Sequence, residues 1–167
     1  MGLFDKLFKV NDTRAATLRL TSEEAFIAIM FSAILADEEV SREELLQLSF
    51  ILSRFKGLAT LTPIQFQNLI DRFQKIVRKE GVGTLITAAK TTLRKDMRDT
   101  AFANAVELVL ADGIVDPREK EFLEKLQEAV GIVDEIAEQI IQVIIIKNRG
   151  TTADIFEGVE IEKMFYA

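Results

Sequence analysis

The chain has neither cysteine nor histidine among its 167 residues. Those two absences remove disulfides, thiolate nucleophiles, imidazole bases and Cys/His zinc sites together. Any metal would have to be held by oxygen, which points to hard cations such as Ca²⁺, Mg²⁺ or Mn²⁺. A cysteine-free chain also fits a cytoplasmic protein, and the cytoplasm is the expected location. No secretory signal is visible, because the first residues lack a long apolar core and a small-residue cleavage site. The longest apolar run, Ala25 to Ala36, is interrupted by Ser32 and is too short to cross a bilayer. It predicts a helix buried on most sides. A surplus of basic residues is missing too. The net charge is -6 and the pI about 4.9, which argues against a nucleic-acid partner and is compatible with cations or basic proteins.

What the chain does have is a pattern stated twice. Ala36-Asp37-Glu38-Glu39-Val40-Ser41-Arg42-Glu43-Glu44 returns as Ala111-Asp112-Gly113-Ile114-Val115-Asp116-Pro117-Arg118-Glu119. Each copy follows an apolar stretch, and the first Asp, the Val and the last Glu keep their spacing. A repeated helix–acidic turn–helix unit predicts an all-α, single-domain helical bundle in two pseudo-symmetric halves.

Helix starts are legible in the same stretches. Thr21 with Glu24, Ser41 with Glu44, Thr62 with Gln65 and Asp116 with Glu119 fit the reciprocal cap, in which each partner takes an orphan backbone N–H. Both prolines of the chain, Pro63 and Pro117, fall at a first helical position, where a missing N–H is harmless. These signals predict about seven helices, at 22–36, 42–55, 63–79, 83–95, 97–111, 117–130 and 133–148. Gly57, Gly81, Gly131 and Gly150 are placed as stops. Ile140 to Ile146 is apolar around its whole circumference and is expected to be the central buried helix.

The domain organisation follows: an amphipathic segment over 1–20, a helical domain over 21–150, and an apolar tail over 151–167. Leu3, Phe4, Leu7 and Phe8 share one face of the first segment, flanked by Lys6 and Lys9. That face suits packing on the body, a protein partner or peripheral membrane contact through residues 1–9. N-myristoylation is not supported, since Lys6 stands where the pattern needs Ser or Thr. The tail, with Ile155, Phe156, Val159, Ile161, Met164, Phe165 and Tyr166, is expected to dock on its own domain or a neighbour's, a homodimer being one outcome. Charge is uneven: carboxylates crowd Asp37 to Glu44, while Arg72, Lys75, Arg78, Lys79, Lys90, Arg94, Lys95 and Arg98 form a basic side able to orient a charged partner.

The second copy of the turn, Ala111-Asp112-Gly113-x-Val115-Asp116-x-x-Glu119 followed by Phe122-Leu123, resembles the signature of the TerB-like family. That family is named for tellurite resistance and shares its domain with a region of membrane-anchored J-domain co-chaperones. The resemblance covers about residues 22–148. The first copy departs from it, with Glu38 for the Gly and Ser41 for the second Asp. It implies an all-helical fold of two halves, association with bacterial stress response, and a role for the acidic residues in cation binding.

Two readings of the acidic turns stand side by side. As an EF-hand a single turn fails, because Asp112 and Glu119 are too close in sequence and Ile114 and Val115 occupy ligand positions. Two turns brought together would offer Asp37, Glu44, Asp112 and Glu119 to a weakly held divalent cation. In the alternative, Ser41, Glu44, Asp116 and Glu119 are helix caps and nothing more. Asp37 and Asp112 fit that alternative least, since each sets a negative charge at the unfavourable end of a helix dipole. Gly113 is expected to supply a left-handed turn residue. No Gly-rich substrate loop or nucleophile signature is present, so catalysis is not expected. The leading expectation is a stress-response module with a cation site, and the runner-up a protein–protein adaptor acting through apolar termini.

Overall fold

Four reciprocal caps set where the helices begin. At Thr21/Glu24, Ser41/Glu44, Thr62/Gln65 and Asp116/Glu119 the first side chain accepts from the N3 backbone, and the N3 side chain accepts from the cap's own N–H. All four pairs follow the sequence pattern. Replacing Asp116 with alanine is expected to lower stability by about 1 kcal/mol, the usual worth of such a cap. A urea titration measures it, and an unchanged midpoint would show that the box contributes nothing.

The computed structural model describes residues 2–36 and 40–150, and every regular element among them is an α-helix. In order these are α1 (Asp12–Thr17), α2 (Ser22–Ala33), α3 (Arg42–Leu52), α4 (Pro63–Glu80), α5 (Val82–Thr92), α6 (Lys95–Val109), α7 (Pro117–Val130) and α8 (Asp134–Asn148). The short α1, capped by Asn11, adds one helix to the seven expected. Gly81 and Gly131 end α4 and α7 with positive φ, as expected. Gly57 does not end a helix: α3 stops at Leu52 with Ser53 as its cap.

The core is organised around α2. Residues Ala25 to Ala33 are all buried, because α3, α4, α5, α6 and α7 each pack on it. A helix touched on all sides has no polar face to show, which is what its unbroken apolar sequence encodes. Ser32, the one polar residue of that stretch, turns its hydroxyl back to the Ala28 carbonyl at 2.8 Å. The expectation that Ile140 to Ile146 forms the central helix is corrected. α8 lies at the edge, packed mainly on α6, and it exposes Val143 and Ile146 while burying Ala137 and Ile144. Its apolar outer face is β-branched without being interior. On α4, Ile64 in the first turn is likewise 74% exposed.

Residues 2–11 form a strap docked on the body. Phe4 is 2% exposed and meets the Phe122 ring edge-on at 5.3 Å, while Phe8 meets the same ring at 5.4 Å. Val82 N–H donates to the Leu7 carbonyl at 2.8 Å, and Asn11 N–H donates to Thr84 Oγ1 at 2.8 Å. Gly83 permits this approach, since a Cβ there would collide with the Phe8 carbonyl. Lys125 pairs with Asp5 at 2.8 Å. That hydrogen bond holds the Asp5 carboxyl below its usual range and raises the Lys125 ammonium. The pair therefore supports docking while both are charged. Its contribution is lost as pH falls through the lowered Asp5 pKa or rises through the raised Lys125 pKa. Of the apolar residues at this end, Phe4 is buried, Leu7 and Phe8 are half-buried, and Leu3 stays exposed. The expected docking of residues 151–167 lies outside the described residues.

Candidate functional site

The second acidic turn is built by local hydrogen bonds. After α6 ends, Gly113 adopts φ +74 and its N–H donates to the Leu110 carbonyl at 3.0 Å. This is the left-handed turn residue the sequence predicts. A Cβ at Gly113 would also fall 2.6 Å from the Asn148 carbonyl, so the turn is pressed against the end of α8. Asn148 is buried and its amide donates to the Leu110 carbonyl at 2.8 Å. Asp112 Oδ1 accepts from the Ile114 N–H at 2.9 Å. That bond within the turn explains a carboxylate at an unfavourable helix end.

Glu44 and Glu119 are both committed to caps. Glu44 Oε2 accepts from the Ser41 N–H at 2.8 Å, and Glu119 Oε2 from the Asp116 N–H at 3.1 Å. Asp37 lies outside the described residues. Among the described residues no three acidic side chains gather closely enough to hold a metal ion.

A second feature, not foreseen as a unit, is a crevice of about 980 Å³ between the strap and α4. That volume is at the upper end for ligand clefts, which run to roughly 1,000 Å³. Its floor is apolar, with Leu7, Leu35, Val40 and Val77. Lys6 and Lys9 from the strap, and Arg78 and Lys79 from the last turn of α4, stand around it. Glu80, the one acidic lining residue among the described residues, accepts from the Asn11 amide at 2.8 Å. The sequence shows Lys6 and Lys9 flanking one apolar face and Arg78 and Lys79 on the basic side. What joins them is the docking of the strap at Gly81 and Gly83, and that glycine pair was the signal in the sequence.

A third feature is a groove lined by Leu46, Phe50 and Ile51 of α3, Leu108 of α6, Ala111, and Asn148 of α8. No helix among the described residues is long and apolar enough to cross a membrane.

These elements define an all-helical module in which α2 is buried at the centre and α3 and α7 each begin with a reciprocal cap. The family model described as tellurite resistance protein TerB matches residues 23–142, and the chain belongs to that family. Neither a curated protein nor a solved structure matches it.

Proposed function

We propose that the chain is a non-catalytic adaptor of the TerB family that binds an acidic, amphipathic segment of a protein partner. The crevice under the strap carries this reading. An apolar floor rimmed by four cations complements a segment with apolar side chains on one face and carboxylates at its edges. Lys6, Lys9, Arg78 and Lys79 are exposed, so their charges are available for steering and are screened by salt. The family's description names tellurite resistance, which supports a stress-response role for the adaptor.

Affinity capture from native cells with the wild-type chain and with a Lys6→Glu/Arg78→Glu/Lys79→Glu variant tests the reading. The expected result is a partner carrying an acidic amphipathic stretch, released by raised salt and lost from the variant. Recovery of the same partners by both proteins would sink it. The substituted side chains are exposed, so the variant keeps its core.

A divalent cation between the acidic turns is the second reading. It draws on Asp112, whose Oδ1 accepts from the Ile114 N–H and whose carboxylate follows the C-terminal end of α6, where a cation would further offset the dipole. The ligand set would be Asp37, Glu44, Asp112 and Glu119. A cation at 100 times its dissociation constant stabilises the fold by about 2.7 kcal/mol. Melting with Ca²⁺, Mg²⁺ and Mn²⁺ in turn should then raise Tm, and Asp37→Asn/Asp112→Asn should remove the gain. No shift with any of the three ions refutes this reading and leaves the adaptor standing.

A further inference from the structure

We propose that residues 151–167 of this chain are the occupant of the groove between α3 and α8. The groove shares no lining residue with the crevice under the strap, so the two proposals stand or fall separately.

α3 is apolar on two sides. Leu48, Ile51 and Leu52 face the core, yet Leu46 is 59% and Phe50 72% exposed. These two are four residues apart and share one helix face. Across the groove, Lys147 reaches Glu107 at 2.8 Å. Val143, one turn earlier on α8 and on the same side as Lys147, is 61% exposed. One exposed leucine is ordinary on a protein surface; Leu46 and Phe50 together on one helix face, lining a groove with Leu108 and Ala111, mark a docking site.

Three observations select the occupant. The first is where the chain goes. Asn148 lines the groove, and residue 151 follows three positions later. A tethered segment that starts at the groove has an effective concentration in the millimolar range, far above that of a free partner. The second is chemistry. The segment carries Ile155, Phe156, Val159, Ile161, Met164 and Phe165 among Asp154, Glu157, Glu160 and Glu162, with Lys163 its one cation. At the groove's rim Arg54 and Lys147 share one carboxylate, Glu107, at 3.7 and 2.8 Å. Glu107 lines the groove, so the two cations that hold it stand near enough to meet an acidic segment. The third is length. Residues 151–167 would span roughly 25 Å as a helix at 1.5 Å per residue, against roughly 16 Å for α3. The segment is therefore long enough to cover the groove.

The absence of cysteine makes the test clean. In the full chain, Glu160→Cys provides a single attachment point for a nitroxide spin label. The expected result is loss of most signal intensity at Leu46, Phe50 and Leu108 in the nuclear magnetic resonance spectrum, with Leu3, Leu7 and Val77 unaffected. Adding Leu46→Asp and Phe50→Asp should restore the remaining groove signals. Both positions are exposed, and the unchanged spectrum of α2 confirms that the core is intact. Three results overturn the proposal. One is no broadening at the groove. Another is broadening at the crevice under the strap instead. The last is broadening seen only when labelled and isotope-enriched chains are mixed, which would make the occupant a second copy.

Discussion

Phe122→Ala is expected to lower stability by about 3–5 kcal/mol, the range for removing a buried aromatic ring. The ring is fully buried and is met edge-on by Phe4 and by Phe8. Its loss therefore empties a core site and also removes the surface on which the strap rests. Phe4→Ala should fall in a similar range, because Phe4 is itself buried. The two effects should not add. Edge-to-face pairs carry about 0.5–1.5 kcal/mol beyond burial, and contacting residues share part of any loss. A double-mutant cycle in urea measures the coupling. Strict additivity would mean that the strap does not sit on Phe122 in solution.

Gly83→Ala is the second large effect, and it acts through a single methyl group. The new Cβ would collide with the Phe8 backbone carbonyl and lie 2.8 Å from that of Lys9. Backbone cannot rotate away as a flexible side chain can, and the Leu7 carbonyl is already held by the Val82 N–H. Either α5 shifts or the strap lifts, at a cost of about 1–3 kcal/mol for the overpacking. If the strap lifts, losing the burial of Phe4 adds about 1.5–3 kcal/mol. Limited proteolysis should then cut within residues 2–11. Gly57→Ala is the matched control, since nothing lies within 4 Å of a Cβ there. It should be neutral or stabilise by about 0.4–1 kcal/mol through the unfolded chain. Equal effects at the two glycines would remove the close approach as an explanation.

Local chemistry made most of the fold legible. Each cap is a contact between residues three apart, so Thr62 and Gln65 announce the start of α4 without reference to anything distant. The all-round burial of α2 was equally plain, since no polar face interrupts it. Reading the same cue at Ile140 to Ile146 failed for a physical reason. Apolar circumference reports what a helix could bury, and only the neighbours decide what it does bury. Among the described residues α8 packs mainly on α6 and leaves its outer face exposed, a fact held in tertiary contacts that periodicity does not encode. The acidic turns show the same limit. Asp112 looked misplaced because the helix dipole is a local rule, and the Asx bond to Ile114 that resolves it needs the turn's actual shape. The crevice was missed for a related reason: Lys6 and Lys79 are distant in sequence and line one crevice because Gly83 lets one backbone lie against another.

The burial of α2 from every side also sets a problem for the chain as it is made. The helix leaves the ribosome well before α5 and α6, which cover most of it. At roughly 5–20 residues per second, the interval from Ala36 to Val109 is about 4–15 s. For that time a stretch with no solvent-compatible face waits without its partners, whereas the amphipathic α4 and α7 can each rest with a polar side outward. Nascent chains paused before α6 should accordingly be the species that engage chaperones or aggregate, and those paused after α6 should not.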